Sequence, residues 1–163
     1  MEEKRFDATW SYQVRLITHG FAIVGLLIFF VNTTDGFSAK GCAASLPLFL
    51  LLFAAWGFHP QYYVLRSDRI VVKRPFGDLV IPLSEIEDAL PLTKEDLGFS
   101  IRLWACGGLF GHFGLYSSKN IGQYYMWSTN TDSMAMIRRK NKKPVIVSPS
   151  DRDEFIKLVN ALR

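Results

Sequence analysis

Apolar residues are unevenly spread along this chain. Two nearly uncharged runs, Leu16 to Val31 and Leu46 to Phe58, lie close to the N-terminus, joined by a polar bridge centred on Asp35 and Lys40. Phe21 to Val31 and Leu48 to Trp56 have no polar face, and a helix apolar all round requires either lipid or a large protein core. A chain of 163 residues is too small to offer that core. At roughly 1.5 Å per residue each run, with its flanks, approaches the thickness of a hydrocarbon slab. Each uninterrupted stretch is nonetheless short of the usual twenty or so residues, and Pro47 falls early in the second. The pattern predicts a transmembrane hairpin with helices over about 14–32 and 43–59, inside an N-terminal segment of residues 1–60.

After Pro60 the texture changes. A proline lacks the amide proton and biases its predecessor away from helix, so the second helix ends there. Short β-rich segments follow at Gln61 to Arg66, Arg69 to Arg74, Leu79 to Leu83, Phe99 to Cys106, Gln123 to Thr129, Met134 to Arg139 and Pro144 to Val147. Turn residues separate them, notably Ser67 and Asp68, and Pro75 to Asp78. Ser84 with Glu85, Glu87 and Asp88 reads as a capped bend, because Pro91 follows soon after. Ser150 or Asp151 caps a last helix in which Phe155, Leu158, Val159 and Leu162 recur at helical spacing. The expected fold class is α+β: a hairpin, then over 61–163 a mostly antiparallel, partly open barrel closed by a C-terminal helix.

That order of elements resembles the bacterial PH-like domains, in particular their membrane-linked group. The resemblance is carried by Tyr62 to Arg66 with Ile70 to Lys73, by Ile81, Pro82, Leu83 and Ile86, by the glycines and phenylalanines of Gly108 to Gly114, and by Val145 to Pro149 followed by Phe155. It implies a small barrel similar in shape to lipid-binding PH domains, serving protein interaction or assembly, or lipid binding. Fold alone does not choose between these.

Charge sets the expected orientation. Lys4, Arg5 and Arg15 flank the first run and Arg66, Arg69, Lys73 and Arg74 follow the second, whereas the bridge holds only Lys40 against Asp35. Both ends should therefore face the cytoplasm of a bacterial inner membrane. Trp10, Tyr12, Trp56, Tyr62 and Tyr63 fall at the same edges, where amphipathic rings favour the headgroup layer. Glu2, Glu3 and Asp7 offset the bases of the first thirteen residues, which makes a poor signal-peptide start. His19 and His59 lie near the expected boundary, as interfacial groups or as proton-relay candidates.

Two stretches are candidate contact sites. Between Gly107 and Tyr116 the glycines fit neither a dinucleotide fingerprint nor a phosphate loop. Leu109, Phe110 and Phe113 would form a tip touching lipid or a partner, or else a bent strand filling the barrel. The turn of Arg138, Arg139, Lys140, Lys142 and Lys143 would meet anionic headgroups or an acidic partner, or stand as a solvated turn.

Composition narrows the rest. The hydrophobic fraction of 49% is ordinary, so the membrane expectation rests on clustering. A formal charge of +4 without zinc-finger, helix-turn-helix or aromatic RNA-binding spacing points away from nucleic acid. Cys42 and Cys106 fall in different parts of the chain, as free thiols. His19, His59 and His112 are dispersed, no nucleophile motif surrounds Ser84, and Glu85, Glu87, Asp88, Glu95 and Asp96 read as a solvated acidic edge. The expectation is a non-enzymatic membrane protein without cofactor or metal. Its partners would be membrane lipids through the hairpin and a protein, or a second copy, through the domain, with headgroup sensing as the alternative.

Overall fold

The computed structural model describes residues 3–33 and 39–163; the bridge around Asp35 lies outside the described residues, as do the side chains of Lys40 and Cys42. The chain begins with a strand, β1 (Lys4–Asp7), then two helices, α1 (Tyr12–Thr33) and α2 (Ala39–Phe58). Strands β2 (Tyr62–Leu65), β3 (Arg69–Lys73), β4 (Leu79–Pro82) and β5 (Ile86–Leu92) precede the short helix α3 (Lys94–Leu97). Then come β6 (Ser100–Gly107), β7 (His112–Ser118), β8 (Gly122–Ser128), β9 (Met134–Arg139), β10 (Lys142–Val147) and the closing helix α4 (Arg152–Leu162).

Ser11 caps α1, its Oγ accepting the Val14 amide at 3.3 Å. Among the described residues α1 is one helix long and apolar enough to cross a membrane, and α2 carries a shorter apolar stretch, Ser45–Phe58. The two helices pack on each other, with Leu48 against Gly25 and the rings of Phe29 and Phe49 at 6.5 Å. Their remaining faces are bare: Phe30 is 67% exposed and Leu50 57%.

The strands form two sheets, and their hydrogen bonding does not close them into the expected barrel. One sheet has the order β1-β2-β3-β4 and the other β5-β9-β10-β8-β7-β6. Pairing is antiparallel throughout except for β10 with β8, which run parallel with Val145 opposite Tyr125. Since side chains alternate across a strand, the six-stranded sheet buries two faces. Ala135, Ile137, Val145 and Val147 face Tyr63, Leu65, Ile70, Val72 and Ile81 of the smaller sheet, with Phe155 and Val159 of α4 completing that core. Met134, Ile146, Met126 and Tyr124 point the other way and pack with Leu97 of α3. Asn160 fixes α4 to β5, its side chain accepting from the Ala89 amide and donating to the Ala89 carbonyl, at 2.9 and 2.8 Å.

Three strands escape the sequence pattern. β1 lies in the charged leader; only Phe6 of its four residues is buried, edge-on to Phe155 at 5.2 Å. β5 contains Pro91 and two acids, which an edge strand tolerates because one row of its backbone groups is unpaired. β7 is obscured by Gly114 and His112, yet buries Phe113 and Tyr116. Part of the supposed acidic edge is instead a helix cap. The Asp96 carboxylate accepts from the Thr93 amide at 3.0 Å while the Thr93 hydroxyl accepts from the Asp96 amide at 3.1 Å.

Candidate functional site

The helices stand on one end of the sheets. At the foot of α1 the Ser11 amide donates to the Thr129 carbonyl at 3.0 Å, and the Thr129 hydroxyl donates to the Thr9 carbonyl at 2.9 Å. Ser148 ties the same corner together, its Oγ accepting the amides of Thr129 and Asn130 at 2.9 and 3.2 Å. Thr129 follows β8 and Ser148 follows β10, so these strand ends and the β6–β7 loop mark the helix-proximal end of the domain.

The glycine-rich loop is the socket for the helices. The buried Thr18 hydroxyl accepts the Phe110 amide at 2.9 Å. Gly108, at φ 108°, lies so close to α1 that a Cβ there would be 3.0 Å from Ile17 Cδ1. Leu109 and Phe113 are 7% exposed and pack on Ala55 and Leu52 of α2, so of the two readings the sequence left open they are buried packing residues and not a free tip, though what they fill is the joint with the helices. They fill the joint because their strand turns directly beneath the helices. Phe110 is half-buried, edge-on to Trp10 at 5.6 Å and tilted on His59 at 5.6 Å. His59 is thereby a packing residue of the joint, bonded through Nδ1 to the Trp56 carbonyl at 2.5 Å.

The β3–β4 turn makes the second clamp. Phe76 donates its amide to the Gly57 carbonyl at 2.8 Å and packs its ring against Phe53, Trp56 and Phe58 at 5.3 to 6.2 Å. Of the rings expected at an interface, Tyr12 is 76% and Trp56 41% exposed at the helix end, while Trp10 is half-buried in the joint. Tyr62 is half-buried under the Arg5 guanidinium at 4.0 Å. Tyr63 is a correction: it is fully buried between the sheets, donating to the Trp127 carbonyl at 2.7 Å and accepting the Ser148 amide at 3.1 Å. Adjacent strand residues face opposite ways, so Tyr62 and Tyr63 cannot share a surface. Burial pushes the Tyr63 hydroxyl up to about 12, with Ser148 opposing.

The basic turn lies elsewhere. It joins β9 to β10 at the end remote from the helices, about 20 Å along β10 from Ser148. Its charges are also engaged within the protein. Arg138 forks onto Asp88, which holds that carboxyl below its usual range, and Lys142 Nζ reaches Glu85 Oε1 at 2.7 Å. Lys140 donates to the Ser84 carbonyl at 3.0 Å, Arg139 Nε to the Lys143 carbonyl at 2.8 Å, and Lys143 stands 5.9 Å over the Tyr125 ring. The other four bases do not converge either. Arg66 pairs with Glu3 and Arg69 with Asp68 at the far end of β3, while Lys73 pairs with Asp78 at the near end, roughly 13 Å away.

Arg74 is the exception. No carboxylate lies within ion-pair distance of it among the described residues, and its guanidinium is 4.5 Å from the centre of the Trp127 ring. Trp127 in turn stacks on Phe113 at 6.2 Å. These groups line a hollow of about 580 Å³ bounded by Phe58, Leu103 and Trp104. Burial pulls Arg74 below its ordinary value, with Asp78 opposing, yet a guanidinium so placed keeps its charge at neutral pH. One sign of this hollow is legible in the sequence: Leu103 and Trp104 are consecutive apolar residues in an alternating strand. A register shift between Arg102 and Trp104 turns both outward, 46% and 85% exposed.

Two ionisable groups in the same region are held neutral. Burial lowers His112 to about 4, aided by Arg102 and Lys94, and burial raises the half-buried Cys106 thiol, with a backbone hydrogen bond at Leu109 opposing. Cys106 is a free thiol. Among the described residues no group of three or more His, Cys, Asp or Glu side chains is gathered for a metal ion.

No curated protein and no solved structure matched the chain. A family model did, the one described as Bacterial PH domain, over residues 61–162, which takes in every strand from β2 to β10 and the whole of α4. The socket loop, the Phe76 turn and every wall of the Arg74 hollow except Phe58 thus fall within the matched stretch, and the chain belongs to the bacterial PH domain family.

Proposed function

We propose that this is a non-enzymatic integral protein of the bacterial inner membrane, in which α1 and α2 enter the bilayer as a hairpin and hold a PH-like domain against its cytoplasmic face for protein interaction or complex assembly. The observation that carries this is the pairing of β1 with β2, from Lys4 opposite Leu65 to Asp7 opposite Tyr62. The chain leaves the smaller sheet at β1 and re-enters it on the neighbouring strand. An apolar excursion between two such strands begins and ends on one side of a membrane, which two crossings satisfy and one does not.

Three further observations support it. Only 17% of the apolar window of α1 is buried, whereas a helix serving as a soluble core would be mostly covered. Cleavage after α1 would remove β1 and the Ser11, Val14 and Thr18 contacts, which speaks against a leader peptide. PH domains are in general binding modules and not catalysts. The remote basic turn favours a protein partner over headgroups, because its charges are largely matched inside the chain and it lies at the far end from the helices. Near that turn is a hollow of about 720 Å³ edged by Asp68, Glu87, Lys140 and Arg163, a mixed-charge surface suited to a polar partner face.

The test is extraction of the intact chain from native membranes with alkaline carbonate, followed by labelling of intact cells with an impermeant maleimide in a background lacking Cys42 and Cys106. Retention in the pellet, with Asp35→Cys labelled from outside and Ser67→Cys labelled only after permeabilisation, is the expected outcome. Recovery of monomer in the carbonate supernatant overturns the proposal.

A further inference from the structure

We infer that the hollow at the foot of α2 is a binding site for one anionic phospholipid of the cytoplasmic leaflet, its phosphate held by Arg74 and its glycerol and upper acyl region lying on Phe58, Leu103 and Trp104. This rests on the proposal that the helices lie in the bilayer.

Charge is the first ground. Three of the four bases around β3 have a carboxylate partner; Arg74 has none among the described residues. Its Nε is spent on the Gly77 carbonyl at 2.8 Å, which fixes the plane of the guanidinium, and Trp127 supports one face at 4.5 Å. A planar, pre-oriented guanidinium with its terminal amino groups still to serve is the group best suited to a phosphodiester. Ordering costs are already met by the fold, so little side-chain freedom is lost on binding.

Position is the second. Arg74 is two residues from Phe76, whose ring packs against Phe53 as well as Phe58. Phe53 is five residues before the end of α2, roughly 7 Å up the helix axis, so the β3–β4 turn reaches to the depth at which a spanning helix passes through the headgroups. The hollow is continuous with the helix surface because Phe58, the last residue of α2, is one of its walls.

Shape and polarity are the third. A volume of about 580 Å³ is ordinary for a small-molecule site. One wall carries the cation, while Leu103 and the largely exposed Trp104 present apolar surface to the open side. An indole in that situation favours the membrane interface, where an apolar body and a polar edge are both satisfied. Within one hollow the protein thus offers a cation to a phosphate and an apolar wall to the chain attached to it. Free phosphate would use only the first.

The experiment is native mass spectrometry of the full chain in detergent, with phosphatidylglycerol and phosphatidylcholine added in equal amounts. The wild type is expected to retain one phosphatidylglycerol in about tenfold preference. Arg74→Ala should abolish the preference and Arg74→Lys keep part of it, while Arg138→Ala and Lys142→Ala leave it intact. Trp104→Ala removes a side chain that is 85% exposed and should weaken retention severalfold without disturbing the fold, so it decides the matter if Arg74→Ala unfolds. Inorganic phosphate in excess should not displace the lipid. Equal retention of the two lipids by the wild type, an undiminished preference in Arg74→Ala, or undiminished retention in Trp104→Ala overturns the inference. A chain that stays in the carbonate pellet yet shows no preference loses the lipid site alone; a chain in the supernatant loses the membrane proposal instead.

Discussion

The ring of Phe76 occupies the space that a side chain on Gly57 would need: a Cβ there would lie 2.0 Å from Phe76 Cε2. Together with the Phe76 amide bonded to the Gly57 carbonyl, this makes the end of α2 and the β3–β4 turn a single packed unit. Gly57→Ala must expel the ring, at a cost of about 1–3 kcal/mol by thermal unfolding in detergent. In Phe76→Ala the same substitution should cost far less, because the two changes share one contact. Additive effects in the double variant would show that the clamp contributes nothing.

Thr18 holds the other side of the joint. Thr18→Val keeps the shape but leaves the Phe110 amide without its acceptor in a half-buried site, and Phe110 already sits at φ 56°, a left-handed conformation that a non-glycine residue adopts at some cost. A loss of about 1–3 kcal/mol is expected, with faster proteolysis of residues 107–111. Thr18→Ser retains the hydroxyl and should restore resistance.

Tyr63 links the two sheets through its hydroxyl, not through its ring alone. Tyr63→Phe preserves the packing and strands the Trp127 carbonyl and the Ser148 amide, for an expected cost of about 1–3 kcal/mol. If the variant were as stable as the wild type by urea unfolding, the two groups would have to find other partners.

His112 predicts an acid limit. Its folded value, about 4, lies below the ordinary 6.5, so the folded protein resists a proton that the unfolded chain accepts. Above pH 6.5 the residue makes no difference; as pH falls from 6.5 towards 4 the unfolded state gains, and stability drops by roughly 3 kcal/mol in total. His112→Gln should flatten that part of the pH profile when unfolding midpoints of the two proteins are compared.

The basic turn should prove dispensable for the membrane. Arg138→Ala with Lys142→Ala removes two charges from the helix-remote end, where both are paired within the chain. Flotation with anionic vesicles should be unchanged, and a large loss would place that end at the bilayer after all.

What the sequence determined by itself was everything that depends on local pattern. Two apolar runs became α1 and α2, Pro60 marked the change to strands, and the spacing of Phe155, Leu158, Val159 and Leu162 gave α4, because hydrophobic period and turn chemistry act over a few residues. The family resemblance was legible for the same reason, being carried by strand and turn order. What only the tertiary structure decided was which groups meet. β1 is a strand because β2 is beside it, and β5 and β7 are strands despite proline, acids and glycines because their neighbours supply the hydrogen bonds. Leu109 and Phe113 turned inward since α2 stands over them, and the bases Arg138, Arg139, Lys140 and Lys142 found acids and carbonyls brought from β5, from the residues just before it and from their own turn. A charge cluster in sequence states how many cations are near one another along the chain; which of them meet a carboxylate is decided by the fold, which brings acids from fifty or more residues away to Arg66, Arg138 and Lys142 and, among the described residues, leaves Arg74 as the one base of the β3 group without one.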